Sequence, residues 1–336
     1  MSIPHTRLGR TGLKVSRLAL GTMTFGLQTD EATSFRILDR ATEGGIDFLD
    51  TADVYPLGGT VETTGRTEEI IGNWFQSKGA GERNRYILAT KAANKVGPNP
   101  WDQGNSRKHL LDAIDLSLKR LKTDHVDLYQ LHHDDPQTPL DESLEALDVI
   151  VRSGRARYIG VSNFLSYRLA RMIGISALHK LVQVVSVQPR YSLLFREIER
   201  ELLPLAGEEG LGVIPYNPLA GGLLTGKYAP GAKPEDNTRF TLGTAGGMYQ
   251  DRYWNERSFA TVSQLHKLAD EAGVPLATLA VAWVMANPLI TAPLLGASRP
   301  EQLDATLAAA EYRMPADLKQ RLDELTAEYR KGDAPR

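Results

Sequence analysis

The sequence contains no cysteine, which excludes disulfide bonds, thiol catalysis and thiolate metal sites. It also lacks a basic surplus: the formal net charge is -2 at pH 7, which gives no indication of binding to nucleic acid or to an anionic membrane. No apolar run approaches the roughly 18–20 residues of a membrane span. Residues 1–7 lack the apolar core of a signal peptide. We therefore expect a cytoplasmic protein with neither nucleic-acid nor membrane partners.

The sequence does contain ample core-forming material in a repeating order. Hydrophobic residues make up 42% of the 336 positions, enough for one large domain or two. Short apolar runs that predict strands alternate with amphipathic segments that predict helices. Eight such units in succession predict an α/β fold of the (β/α)8 or TIM barrel type rather than an open doubly wound sheet. No linker divides the chain, so we expect a single domain over residues 1–336.

Two segments depart from this alternation. Residues 6–16 predict an N-terminal hairpin, with Gly9 and Gly12 on either side of its turn. A glycine-rich connection, residues 219–255, follows the seventh predicted strand at 211–215. Because loops at the carboxyl ends of barrel strands carry function, we expect this long loop to contribute to a ligand site.

Ionisable side chains follow three consecutive predicted strands. Asp50 follows the strand at 46–49, Lys91 the strand at 86–90 and His132 the strand at 126–131, while Tyr55 lies on the loop after Asp50. The carboxyl ends of barrel strands meet at one rim, where neighbouring strands are about 4.8 Å apart. Taken singly, each residue has a structural explanation as a cap or a rim side chain. Together they predict a site that donates a proton.

The acid in such a site is Tyr55. An isolated tyrosine has a pKa of about 10, and a nearby ammonium such as Lys91 is expected to lower that pKa by stabilising the phenolate. Asp50 would keep Lys91 charged, and His132 would donate to a substrate oxygen or share the proton. Carbonyl reduction requires such a donor, because negative charge develops on the oxygen. No side chain supplies hydride, so a reducing cofactor is implied.

The motifs around these residues resemble those of the aldo-keto reductase superfamily. The family's markers occur in order: D-T-A-D-V-Y at 50–55, A-T-K at 89–91, D-L-Y-Q-L-H at 127–132, I-G-V-S-N-F at 159–164, P-Y-N-P-L-A-G-G-L-L-T-G-K-Y at 215–228 and G-A-S-R-P-E-Q-L at 296–303. They span nearly the whole chain. The resemblance implies a (β/α)8 barrel that binds extended NADPH and reduces a small-molecule aldehyde or ketone. It implies Tyr55 as the general acid, Lys91 and Asp50 as the groups that tune it, and His132 as the group that orients the substrate.

The resemblance also implies cofactor contacts. Ser162, Asn163 and Gln188 would hold the nicotinamide carboxamide, and Tyr216 would stack on its ring. Arg299, at the start of a predicted helix, suits a 2'-phosphate and favours NADP over NAD. The other implied contacts are Gly21, Thr22, Met23, Asp50, Asn217, Pro218, Leu219, Gly221, Leu223, Lys227, Gly296, Ser298 and Gln302.

Several alternatives remain open at this point. Some relatives of the superfamily reduce nucleotide-linked keto-deoxyhexoses, and others are auxiliary channel subunits that bind NADPH without a catalytic role. His133 stands where relatives often have Arg or Trp, so it is a candidate for substrate choice. Trp101 and Tyr253 lie in long loops and are candidates for a substrate wall. Assembly into a homo-oligomer is also open.

Two motifs suggest other chemistry and do not support it. The segment 221–228 nearly matches a phosphate-binding P-loop, but Tyr228 replaces the hydroxyl residue that binds Mg²⁺. We therefore predict a loop around a dinucleotide phosphate instead of an ATPase. His132 and His133 are adjacent on an extended strand and point in opposite directions, which makes them a poor chelating pair. No metal site is predicted.

Overall fold

The structure is a computed structural model that describes residues 3–330. In this range an antiparallel hairpin, β1 (His5–Arg7) and β2 (Lys14–Ser16), precedes eight parallel strands. The parallel strands are β3 (Ala19–Gly21), β4 (Phe48–Asp50), β5 (Ile87–Ala92), β6 (Val126–Leu131), β7 (Ala156–Ser162), β8 (Val184–Gln188), β9 (Gly212–Val213) and β10 (Leu294–Leu295). Their order in the sheet is β10-β3-β4-β5-β6-β7-β8-β9, so consecutive strands pair and the last returns to the first.

Helices follow the strands and cover the outside of the sheet. They are α1 (Glu31–Glu43), α2 (Arg66–Lys78), α3 (Arg107–Leu121), α4 (Leu140–Arg152), α5 (Ser166–His179), α6 (Leu202–Glu209), α7 (Gly246–Tyr253), α8 (Glu256–Glu271), α9 (Leu276–Met285), α10 (Gln302–Leu307) and α11 (Ala316–Leu325). Within residues 3–330 no single helix has the length and hydropathy to cross a membrane; α8 and α9 meet that test only as a pair, bent by 91°.

The sheet closes on itself through its two shortest strands. The amide of Leu294 donates to the carbonyl of Pro215 at 2.8 Å, and the amide of Thr291 donates to Val213 at 2.8 Å. With β10 also paired to β3, these bonds complete the ring. The predicted (β/α)8 barrel with an N-terminal hairpin is confirmed.

Alternate strand residues fill the barrel and determine where chemistry can occur. Near the strand starts, Phe48, Ala89 and Leu128 form one apolar cluster, which also contains Leu8 and Val15 from the hairpin. The hairpin therefore plugs the amino end of the barrel. Since side chains alternate along a strand, the next inward positions, two residues further on, bring polar groups to the carboxyl end.

Proline explains three differences between the predicted and observed elements. The strands predicted at 211–215 and 290–295 shorten to two residues each, because Pro215 and Pro293 have no amide hydrogen to donate to a ladder. The helix predicted at 198–209 is divided into a 3-10 turn, Glu197–Glu199, and α6. Pro204 is tolerated in the first turn of a helix but not in its interior, so α6 begins only at Leu202.

Candidate active site

Asp50, the last residue of β4, lies at the centre of a buried polar network. Its side chain is 2% exposed. One carboxylate oxygen accepts from Lys91 Nζ at 2.5 Å, and the other accepts from the side-chain amides of Gln130 at 3.0 Å and Gln188 at 2.9 Å. A buried carboxylate is stable only when paired and hydrogen-bonded. Asp50 meets both conditions.

Lys91 lies within β5, one residue before its end, and is completely buried. Besides Asp50, its ammonium donates to the carbonyl of Thr51 at 2.8 Å. It also lies 5.0 Å from the centroid of the Tyr55 ring. The structure thus brings together the carboxylate of Asp50, the ammonium of Lys91 and the phenol of Tyr55.

The loop that carries Tyr55 is held against α2. The carbonyl of Tyr55 accepts from the amide of Gly65 at 3.1 Å and of Thr67 at 3.4 Å. Its ring meets the ring of His132 edge to face, with centroids 5.6 Å apart. Tyr55 is 7% exposed, so only a small part of the side chain faces the opening above it.

The pKa of Tyr55 lies well above 10.0, mainly because of burial and then because of the negative charge of Asp50; Tyr249 and Tyr216 raise it further. This corrects the expectation that Lys91 lowers the pKa. The charge of Lys91 is offset by Asp50, to which it is paired. The phenol therefore stays protonated at neutral pH, which is the state that a proton donor needs.

His132 directly follows β6, and its imidazole is neutral at pH 7. Burial, followed by the charge of Lys91, holds its pKa well below 6.5. Within residues 3–330 its Nδ1 is buried without a hydrogen-bond partner. A neutral imidazole beside the phenol can orient a carbonyl oxygen without adding a second charge.

These residues lie in the wall of a cavity of about 1140 Å³ at the carboxyl end of the barrel. Asp50, Tyr55 and His132 line it, while Lys91 lies behind them. Every cofactor contact implied by the resemblance also lines the cavity, with the exception of Leu223. The side chain of Leu223 is fully buried in the hydrophobic core. Gly221 and Gly222, just before it, have left-handed backbone angles. The contact of Leu223 with a cofactor stays a prediction, and only its backbone could make that contact.

The residues that the resemblance assigns to the nicotinamide are joined to His132 by a hydrogen bond. Asn163 donates through Nδ2 to the carbonyl of His132 at 3.0 Å and accepts from the hydroxyl of Tyr216 at 2.8 Å. Ser162 donates to the carbonyl of Gln188 at 2.8 Å. The four residues therefore form one continuous wall beside Tyr55.

The cavity wall also collects positive charge. The pKa of Lys227 is lowered by burial and then by the nearby positive charge of Arg299. Arg239 also lines the cavity, close to Gly221 and 5.5 Å from the centroid of the Tyr249 ring, and its Nη1 is buried without a partner in the described chain. Cations that repel one another, or lack partners, are stabilised when a phosphate binds. The residues present fit a dinucleotide whose phosphates lie beside these cations.

The sequence does not single out several residues of this cavity. Gln130, which does not line the cavity but bonds to Asp50, could be found, because it lies two positions after Leu128 on β6 and faces the same way. Arg239, Tyr249 and Arg252 lie in the long loop, where no periodicity identifies the inward face. The candidate wall residues Trp101 and Tyr253 do not line the cavity: Trp101 is 51% exposed, and Tyr253 is buried behind Asn217.

Comparison with known proteins agrees with this geometry. The model of the Aldo/keto reductase family matches residues 17–327. The chain therefore belongs to the aldo/keto reductase family, whose members generally bind a nicotinamide cofactor.

Relatives with different names share most of the chain. A Bacillus subtilis (strain 168) protein named uncharacterized oxidoreductase YrpG is 42% identical and covers 96% of this chain and 95% of its own. A probable voltage-gated potassium channel subunit beta of Arabidopsis thaliana is 36% identical, with 91% of each chain covered. The L-glyceraldehyde 3-phosphate reductase of Escherichia coli (strain K12) is 33% identical, with 90% of this chain and 86% of the relative covered.

Proposed function

We propose that this protein reduces an aldehyde or a ketone to an alcohol with NADPH. One observation carries the proposal. The protonated phenol of Tyr55 adjoins the buried Asp50–Lys91 pair and lies in the wall of the same cavity as Lys227 and Arg299, which could bind phosphate. One cavity would thus hold a proton donor and groups that bind anions.

The chain's own groups would perform the proton half of the reaction. Bound NADPH supplies a hydride to the carbonyl carbon. Tyr55 donates its hydroxyl proton to the carbonyl oxygen as the C=O π bond breaks, so the alcohol forms as a new C–H and a new O–H bond. Asp50 and Lys91 fix the environment of the phenol, and His132 orients the oxygen. The phenolate left on Tyr55 regains a proton from solvent before the next turnover.

The preference for NADP over NAD rests on Lys227 and Arg299. The 2'-phosphate carries two more negative charges than a free hydroxyl, and a guanidinium binds phosphate in bidentate fashion. We expect Arg299→Ala to weaken NADPH binding far more than NADH binding. Lys95, a cation outside the cavity lining, offers the control substitution Lys95→Ala.

A second candidate function is suggested by the relative named as a channel subunit beta. In that case the same cavity would bind NADPH as a sensor or structural ligand, without a role in metabolism. The presence of Asp50, Tyr55, Lys91 and His132 in one arrangement favours the enzyme.

A titration followed by an assay distinguishes the two. NADPH fluorescence is first titrated with protein, and NADPH oxidation is then followed with a panel of neutral and charged aldehydes. We expect binding and also turnover of some members of the panel. Binding without oxidation of any member would favour the auxiliary subunit.

A further inference from the structure

The cavity wall carries a cation, Arg252, that the proposed reaction does not use. Helix α7 contributes Met248, Tyr249 and Arg252 to the cavity wall. These positions lie on one helical face, because residues three and four apart are neighbours on a helix. The amide of Thr244, just before α7, donates to the carbonyl of Gly58 at 3.1 Å, which fastens α7 to the loop of Tyr55.

Arg252 is half-buried, and no counterion for it lies within residues 3–330. In the part of the chain that the structure describes, its guanidinium has no ion-pair or hydrogen-bond partner; its contact is with the ring of Tyr249, 5.9 Å from the centroid. Arg168 and Arg83 are also half-buried, and each is paired with a carboxylate: Arg168 with Asp134 at 2.8 Å and Arg83 with Asp127 at 2.7 Å. A partly desolvated guanidinium in a cavity wall is therefore available to an anion from outside the chain.

Arg252 differs in place from the cations assigned to the cofactor. Tyr253, next to Arg252, accepts a hydrogen bond at 3.2 Å from Asn217, and Asn217 adjoins Tyr216, which bonds to Asn163. Burial raises the pKa of Tyr216, and the positive charges of Arg190 and then Arg252 lower it. Burial and then the charge of Arg299 lower the pKa of Lys227, so these two cations lie near each other. Arg252 is thus within electrostatic reach of the reacting end of the cavity, where a substrate and not a cofactor phosphate would lie.

We propose that Arg252 binds an oxyanion of the carbonyl substrate, so that the preferred substrate is an aldehyde or ketone that carries a phosphate or a carboxylate. This inference rests on the proposed reductase function. A guanidinium presents paired N–H donors that match either oxyanion. The charged group would anchor the far end of a short substrate while its carbonyl oxygen meets Tyr55.

The test compares matched substrates on the NADPH-loaded enzyme. The pairs are glyceraldehyde 3-phosphate with glyceraldehyde, and succinic semialdehyde with butanal. The variants are Arg252→Gln, which removes the charge, and Arg252→Lys, which keeps it but loses the bidentate geometry. Arg171→Gln is the control, because Arg171 is exposed on α5 and lies outside the cavity lining. NADPH fluorescence titration of each variant reports whether its cofactor site is intact.

We expect wild type to prefer the anionic member of at least one pair, and the pair concerned identifies phosphate or carboxylate as the anion. Arg252→Gln should lower kcat/KM for that member by about 10- to 100-fold, the scale of a lost charge-assisted contact, and leave the neutral member within about twofold. Arg252→Lys should lie between wild type and Arg252→Gln.

Three results would overturn the inference. The first is a wild type that reduces neutral aldehydes as well as anionic ones; the second is an Arg252→Lys variant that loses both members of a pair equally. Either result leaves the reductase function standing. The third is NADPH binding with no reduction of any aldehyde, which overturns the reductase function and this inference with it.

Discussion

The ammonium of Lys91 lies 2.5 Å from a carboxylate oxygen of Asp50, and solvent reaches neither group appreciably. Removing one partner leaves the other as an uncompensated buried charge, which costs about 3–5 kcal/mol. Removing both charges together leaves no such charge behind. The losses in unfolding free energy on substituting the two residues are therefore expected to be strongly non-additive.

This pair gives the first prediction. Asp50→Asn and Lys91→Met should each lower the free energy of unfolding in urea by about 3–5 kcal/mol, and the double variant should lose less than the sum of the two. The exposed pair Lys108–Asp112 is the control, because its single variants should cost about 0.5 kcal/mol or less. Additive losses at Asp50 and Lys91 would contradict the coupling.

Tyr55→Phe is the direct test of the proton donor. We expect kcat for aldehyde reduction to fall by about 10²- to 10⁴-fold, the contribution typical of general acid catalysis, while the Kd for NADPH stays unchanged. Stopped-flow or steady-state measurement of NADPH oxidation gives kcat, and fluorescence titration gives the Kd for NADPH. Tyr167→Phe, on an exposed side chain of α5, should match wild type in both. Wild-type turnover by Tyr55→Phe would refute the assignment of the acid.

The pH dependence of reduction follows from the same residue. The donor works only when protonated, and its pKa is raised above 10.0, so the active form persists to higher pH than for a free tyrosine. His132, with a pKa below 6.5, stays neutral over the same range. We expect kcat/KM for a neutral aldehyde to be level between pH 7 and about pH 9.5. An alkaline limb centred below pH 9 would show that the phenol loses its proton too early for this role.

Asp53 gives a prediction about stability. It is buried, and within residues 3–330 neither carboxyl oxygen has a hydrogen-bond partner. Burial and then the nearby charge of Glu68 raise its pKa well above 3.8. The folded state therefore holds this proton more tightly than the unfolded state, so its contribution to stability is present below pH of about 4 and is lost as pH rises through the folded pKa.

Asp53→Asn removes the loss of stability that wild type suffers as pH rises through the folded-state pKa of Asp53. The difference in unfolding free energy between Asp53→Asn and wild type should grow in favour of the variant as pH rises, by up to about 1.4 kcal/mol per pH unit within that window. Urea unfolding at pH 5 and pH 8 measures the change. Asp112→Asn, at an exposed site, is the control. A difference that does not vary with pH would mean that Asp53 is ionised in the folded protein at both values.

Much of the barrel follows from the sequence because its signals are local. Asp30 and Ser106 cap α1 and α3 through their side chains, and Gly44 ends α1. The meeting of Asp50, Lys91 and His132 follows from their places at neighbouring strand ends. The direction of the pKa shift at Tyr55 cannot be predicted from the sequence, because it depends on the burial of the phenol and on the pairing of Lys91 with Asp50. The place of Arg252 cannot be predicted from the sequence either, since only the folded loop shows that this side chain faces the cavity.

The N-terminal hairpin has a consequence for the passage of ligands. Leu8 and Val15 fill the amino end of the barrel, and the amide of Arg10 donates to the carbonyl of Gly210 at 2.8 Å, which fixes the hairpin to the start of β9. Within residues 3–330 the amino end of the barrel is therefore closed. A cofactor and a substrate bound in the cavity would both enter and leave at the carboxyl end, so the one bound nearer that end would block the release of the other.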